Sequence, residues 1–271
     1  MHAEPSRARP EPRLTDLPQP WLIGVLHLAA LPGSPASRLD VRDVAGAAVE
    51  DALLLEQAGF SAVLVENYHD APFRPGRVDP ETIASMALVT DAVARGVGVP
   101  VGVNVLRNDA LSALGIAVAA GAQFIRVNVL AGAAATDQGL IEGCADRLLR
   151  QRTALRADVA ILADVDVKHA TALDTRPAEQ RARDLVARSG ADAVLVTGPA
   201  TGQPVDLDRL GTVAEAVAPA PVLAASGADA RTLPAILARC AGVVVGTALQ
   251  DPASGRIDRE RARAFTGAAR R

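Results

Sequence analysis

The sequence predicts an α/β protein folded as a single (β/α)8 TIM barrel, and three observations carry that reading. Eight short runs rich in Val, Ile and Leu begin near residues 22, 61, 99, 124, 159, 193, 221 and 242. Most segments between them place apolar residues three and four apart, the period of a helix buried on one face. The runs recur at a mean spacing of about 31 residues, which is one βα unit, and eight such units make a closed barrel of the usual length. An open doubly wound sheet is the alternative. It would carry a G-x-G-x-x-G turn after its first strand, where this chain reads His27-Leu28-Ala29-Ala30-Leu31-Pro32-Gly33-Ser34.

Taken in order, residues 1–20 hold Pro5, Pro10, Pro12, Pro18 and Pro20 with three arginines and no apolar run, so a disordered or loosely draped arm is expected ahead of a barrel spanning 21–271. The runs read LIGVLHL, SAVLVEN, VPVGVNVL, FIRVNVL, VAILADVDV, DAVLVTG, PVLAASG and GVVVGTAL. Most lack the polar alternation of a half-solvated antiparallel sheet and suit parallel strands covered by helices. Ala58-Gly59, Ala120-Gly121 and Ser189-Gly190 each end a helical stretch just before the next run, as expected of a Gly in the left-handed position that closes a helix, and the cue recurs at Ala241-Gly242. Helices begin at Asp79-Pro80-Glu81, which offers an N-cap, a first-turn Pro and a first-turn acid, and after Asp206 and Asp229.

Composition excludes several functions. Of 271 residues 49% are hydrophobic and 22% charged, and 28 basic residues nearly balance 31 acidic ones, so the chain folds. No cluster of five or more basic residues offers a field for nucleic acid, which is not expected as a partner. No 18-residue apolar stretch and no secretory leader is present, so a cytoplasmic protein without a transmembrane segment is expected. Cys144 and Cys240 lack C-x-x-C spacing and read as small buried hydrophobes in a reducing compartment.

One basic residue stands apart: Lys168 is the only lysine, the other 27 cations being arginines. An ammonium can lose its proton or form a Schiff base, which a guanidinium cannot. In a barrel, chemistry belongs at the carboxyl ends of the strands. His27 ends the first strand, Glu66 and Asn67 the second, Asn104 the third, Arg126 and Asn128 the fourth, and Thr197 the sixth. The fifth ends in Asp164, Asp166 and Lys168, whose i, i+2, i+4 spacing predicts that all three project to one face. Lys168, Asp166, Asp164, Glu66 and His27 are therefore the candidate catalytic residues. Asn67, Asn104, Arg126, Asn128, His169 and Thr197 are candidate substrate contacts, although His169 should point away from Lys168. Asp164, Asp166 and Glu66 could bind a divalent metal, Mg2+ or Mn2+. The loop after Glu66 is long enough to cover something, with Tyr68 and His69 as contacts.

The last three strands end differently. Thr197-Gly198 with Gly202, then Ser226-Gly227, then Gly246-Thr247 each set a hydroxyl residue beside a glycine. Such corners let backbone N–H groups approach an anion, and the loops after the seventh and eighth barrel strands often hold phosphate. Gly198, Gly202, Ser226, Gly227, Gly246 and Thr247 are the candidate phosphate contacts.

Six segments, LIGVLHLAALPGSP (22–35), VLVENYHDAPF (63–73), VGVNVLRND (101–109), FIRVNVLAGAAATDQGLIEG (124–143), ILADVDVKHA (161–170) and VVVGTAL (243–249), closely resemble the BtpA family. The resemblance implies a barrel of the ribulose-phosphate-binding type. Some members are linked to photosystem I accumulation, others accompany sugar-uptake genes, and no reaction follows from either. The chain departs from the family at Ala29-Ala30 and in its arm. Asp166-x-Lys168 also partly resembles the D-x-K-x-x-D signature of sugar-phosphate decarboxylases, with Thr171 at the last position.

Two functions are weighed. One is an enzyme on a phosphorylated sugar or nucleotide-like metabolite, working as an isomerase, lyase or hydrolase by acid/base or lysine-assisted chemistry. The other is a non-catalytic assembly or stability factor for a membrane complex; a sugar-phosphate sensor is a further variant. A homodimer or higher oligomer is expected.

Overall fold

The computed structural model describes residues 14–198 and 204–270. In chain order the strands are β1 (Trp21–His27), β2 (Ala62–Glu66), β3 (Val101–Asn104), β4 (Phe124–Val127), β5 (Ala133–Thr136), β6 (Gly139–Glu142), β7 (Ala160–Asp164), β8 (Ala170–Ala172), β9 (Ala193–Val196), β10 (Val222–Ala224) and β11 (Gly242–Val245). The helices are α1 (Val41–Ala58), α2 (Pro80–Gly96), α3 (Ala110–Ala120), α4 (Ala145–Ala154), α5 (Ala178–Ala187), α6 (Leu207–Val217), α7 (Leu233–Leu237) and α8 (Arg259–Ala268).

Eight parallel strands close in the order β1-β11-β10-β9-β7-β4-β3-β2, and these are the eight runs expected from the sequence. Strand alternation splits the apolar residues into two cores. Trp21, Ile23, Val25, Ala62, Leu64, Phe124, Leu162, Leu195, Leu223 and Val244 fill the barrel interior. Their neighbours, among them Leu22, Leu26, Val63, Val65, Ile125, Ile161 and Val243, pack against the helices.

The same parity decides which polar residues continue the inward-facing rows at the carboxyl ends of the strands. His27 continues the row Trp21, Ile23, Val25, and Glu66 the row Ala62, Leu64; His27 pairs in register with Glu66, and Glu66 with Asn104. Arg126 follows Phe124, Asp164 follows Leu162, and Thr197 follows Leu195. All of them lie at the carboxyl end.

Several expectations are corrected. Of the expected arm, residues 1–13 lie outside the described residues; its last part packs on the barrel, where Leu14, in a 3-10 turn, is 1% exposed and joins the interior cluster, and the nearby Leu17 carbonyl accepts a hydrogen bond from Trp21 Nε1 at 3.1 Å. Gly59, Gly121 and Gly190 have positive φ and follow helices as expected. Gly242 has another reason: a Cβ there would come within 2.2 Å of the Trp21 carbonyl oxygen, so only Gly lets β1 and β11 close the barrel. Asp206 caps α6, accepting from the amides of Asp208 and Arg209, whereas Asp79 precedes α2 but pairs with Arg74 instead of capping it.

The sequence reading missed a small antiparallel sheet, β6-β5-β8, built from the loops after β4 and β7. AAAT and GLIE are too short and too poor in β-branched residues to register as strands. Asn108, in the loop after β3, anchors this sheet by exchanging hydrogen bonds with Val129 at 2.8 and 2.9 Å and donating to the Glu142 carbonyl at 3.3 Å.

Candidate functional site

A cavity of about 650 Å³ opens at the carboxyl ends of the strands, within the roughly 300–1,000 Å³ typical of small-molecule sites. His27, Glu66, Arg126, Asn128, Lys168, His169, Gly246 and Thr247 all line it, as do Tyr68 and His69 from the long loop after β2. His169 therefore faces the cavity, contrary to expectation. The backbone explains this: β7 ends at Asp164, strand alternation ends with it, and His169 adopts φ 54.

The same early end of β7 breaks the expected triplet. Asp164 lies beneath the cavity with its side chain 1% exposed. It accepts from Arg126 Nε at 3.2 Å, Arg126 Nη2 at 3.1 Å and Asn128 Nδ2 at 2.8 Å. Asp166 turns outward to Arg181, whose Nη1 lies 2.6 Å from Oδ1, and to Arg209. Only Lys168 of the three reaches the cavity. The proposed metal set fails with the triplet, because Asp166 does not join Asp164 and Glu66. Among the described residues no cluster of three or more His, Cys, Asp or Glu side chains could hold a metal ion.

Electrostatics centre on Arg126. Its burial opposes charge, but Asp164 and Glu66, whose Oε2 is 3.9 Å from Nη1, outweigh that and hold the guanidinium protonated. Burial pushes the Asp164 carboxyl up against the pull of Arg126. Lys168 is lowered to about 8, first by burial and then by repulsion from Arg126, with Asp164 and Glu66 acting in the opposite sense. Among the described residues no carboxylate lies within ion-pair distance of this amine. Near neutral pH it therefore holds an accessible fraction of free base.

His27 is tightly placed. Its ring stacks on Tyr68 at 4.0 Å between centroids, and Nδ1 lies 3.1 Å from Gln250 Nε2. An amide nitrogen can only donate, so Nδ1 accepts and Nε2 carries the proton, facing Glu66 Oε1 at 3.8 Å. Burial lowers the His27 pKa and keeps the ring neutral near pH 7. A Cβ on Gly246 would come within 2.7 Å of His27 Cε1, so this glycine makes room for the ring as well as forming a turn.

The glycine corners divide. Ser226, Gly227, Gly246 and Thr247 surround an adjoining lobe with Lys168 and Arg261, and this lobe shares Lys168, Ala225, Val244, Gly246 and Thr247 with the main cavity. Thr197 and Gly198 instead border a separate groove beside Asp166 and Arg209, where Thr197 Oγ1 donates to the Asp166 carbonyl at 2.9 Å. Gly202 lies outside the described residues.

Two asparagines also fall away from the cavity lining. Asn67 ties loops together, donating to Asp70 Oδ2 at 3.0 Å and accepting from the Leu106 amide at 2.8 Å. Asn104 is buried below the mouth, where its Nδ2 donates to the Arg126 carbonyl at 3.2 Å. Sequence reasoning missed Gln250 and Arg107. Both line up with the site only through tertiary placement, and an arginine among 27 carries no distinguishing signal.

The fold and this mouth define a (β/α)8-barrel protein whose cavity at the carboxyl ends of the strands is lined by one lysine amine and Arg126, with Asp164 beneath and the glycine corners on an adjoining lobe. The chain belongs to the BtpA family, which matches residues 19–271. It is 46% identical over 239 residues to an uncharacterised protein of Thermococcus kodakarensis, covering 88% of this chain and 89% of that one. It is 45% identical over 229 residues to the photosystem I biogenesis protein BtpA of Synechocystis, covering 84% and 80%. Among solved structures, phosphoribosyl anthranilate isomerase from Thermus thermophilus superposes with a TM-score of 0.58 at 16% identity, covering 92% and 98%. N-acetylmannosamine-6-phosphate 2-epimerase from Clostridium perfringens gives 0.57 at 17%, covering 92% and 96%. At such identities the likeness is one of fold.

Proposed function

We propose that this barrel is an enzyme acting on a phosphorylated sugar or nucleotide-like metabolite, by acid/base or lysine-assisted isomerase, lyase or hydrolase chemistry. The observation that carries the reading is Lys168: the only lysine, half-buried on the cavity wall, lowered to about 8, and shared with the Ser226-Gly227 and Gly246-Thr247 corners. The corners offer backbone N–H groups to a phosphate, with Arg261 supplying positive charge. A substrate anchored there extends past the Lys168 amine toward Glu66 and His27. Lys168 as free base can accept a proton from carbon or attack a carbonyl, while the Glu66 carboxylate and neutral His27 exchange protons with substrate oxygens. Arg126 stabilises negative charge developing above it, itself held by Asp164. The names of the two fold neighbours, which both specify phosphorylated sugars, support the substrate class.

Asp166, Thr197 and Gly198 have no part in this chemistry, and no step needs a metal. A cytoplasmic homodimer or higher oligomer remains part of the proposal; no helix among the described residues is long and apolar enough to cross a membrane.

Thermal-shift screening against sugar monophosphates and nucleotides is expected to raise the melting temperature. Lys168→Arg should keep the fold and phosphate binding but abolish turnover of any substrate so found. Silence across a broad panel, or a fully active Lys168→Arg, overturns the reading. The name of the Synechocystis relative favours a second one, a photosystem-type assembly factor, which predicts function in a complementation assay that survives Lys168→Arg and Glu66→Gln.

A further inference from the structure

Arg107 gives the cavity a second cationic pole that the phosphate corner does not use. It follows β3, lines the cavity, and its side chain is only 9% exposed. Of its five N–H donors, among the described residues one is hydrogen-bonded, Nη1 to the Lys168 carbonyl at 3.2 Å. Its nearest carboxylate, Asp137 Oδ1, stands 3.7 Å from Nη2 on a side chain that is 66% exposed. A guanidinium this buried and this poorly matched is unfavourable unless an anion completes its shell.

The ring order makes the position informative. β3 lies four places from β10 in the closed ring of eight, so the loop that carries Arg107 leaves the strand opposite the one before the Ser226-Gly227 corner, and its guanidinium reaches the Lys168 carbonyl after β7. Lys168, after β7, lies between the two poles, and Arg126 and Glu66 lie on the floor beneath.

We propose that Arg107 marks a second anion subsite, and that the substrate is a sugar-sized metabolite carrying two anionic groups, a phosphate at the glycine corners and a second phosphate or a carboxylate at Arg107. This rests on the phosphate reading above and deepens it. The planar guanidinium fork matches either oxyanion by paired hydrogen bonds, and the exposed Asp137 is free to swing away. A substrate anchored at both poles is held along the diameter of the barrel, with its middle carbons beside the Lys168 amine.

The test uses matched probes by calorimetry: fructose 6-phosphate against fructose 1,6-bisphosphate for a second phosphate, glucose 6-phosphate against 6-phosphogluconate for a carboxylate, and inorganic phosphate, whose tighter site is expected to be the corner. In the wild-type protein the second anion should tighten binding at least about tenfold in one arm. Arg107→Met should shrink that gain below about twofold while leaving inorganic phosphate affinity unchanged, and Arg107→Lys should recover part of it. Inorganic phosphate binding with no gain in either arm, or a gain that survives Arg107→Met, overturns the subsite and spares the phosphate reading. Loss of inorganic phosphate binding by both variants makes Arg107 a structural brace and also overturns it. Failure of every probe in the wild-type protein strikes the phosphate reading, and the subsite falls with it.

Discussion

Replacing Arg126 by Leu tests the electrostatic floor of the cavity without reference to any substrate. The guanidinium makes two hydrogen bonds to Asp164, at 3.2 and 3.1 Å, and neither side chain is more than 9% exposed. Removing one member of such a pair leaves a buried, uncompensated charge and destabilises by about 3–5 kcal/mol. For a chain of this size that lowers the melting temperature by roughly 6–20 °C, at about 2–4 °C per kcal/mol.

The sign of the pH dependence follows from Asp164. Without its cation the folded carboxyl is held still further above the ordinary 3.8, while the unfolded one is not. Between those two values the native state binds the extra proton, so stability falls as pH rises. The deficit relative to wild type should be full at pH 7.5 and smaller at pH 4.5. Adding Asp164→Asn removes the orphaned charge and should recover most of the loss. Calorimetric melts of the three proteins decide the matter. A variant as stable as wild type, or a deficit that grows on acidification, refutes the idea that Arg126 and Asp164 form one buried electrostatic unit.

Further outcomes follow from neighbouring contacts. Reductive methylation with carbon-13 labels one side-chain amine, and its signal, identified by its absence in Lys168→Arg, should titrate near 8; a midpoint above 10 would show the amine to be solvated. Asp164→Asn should lower that midpoint further, because Asp164 favours the charged amine, whereas Asp166→Asn should leave it unmoved, since Asp166 is engaged by Arg181 and Arg209. Gly246→Ala should destabilise by about 1–3 kcal/mol through its clash with the His27 ring, measured by denaturant unfolding, and should weaken phosphate binding.

Much of the architecture was readable in the chain because it is written in local periods. Eight apolar runs alternate with helical spacing, and the two-residue period that sends Leu64 inward also sends Glu66 to the mouth, as it does Arg126 above Phe124. The lone lysine and the glycine corners after β10 and β11 were visible for the same reason: residue type and place in a repeat need no long-range information. Where the strand period stops, so does its authority. Asp166 shares parity with Asp164 on paper, yet β7 ends at Asp164 and the chain turns Asp166 out to Arg181 and Arg209. Arg107, Gln250 and the β5-β6-β8 sheet owe their roles to segments separated by dozens of residues that barrel closure brings together. Which side chain faces a cavity past the last hydrogen-bonded strand residue is decided by packing between loops, and that information exists only in three dimensions.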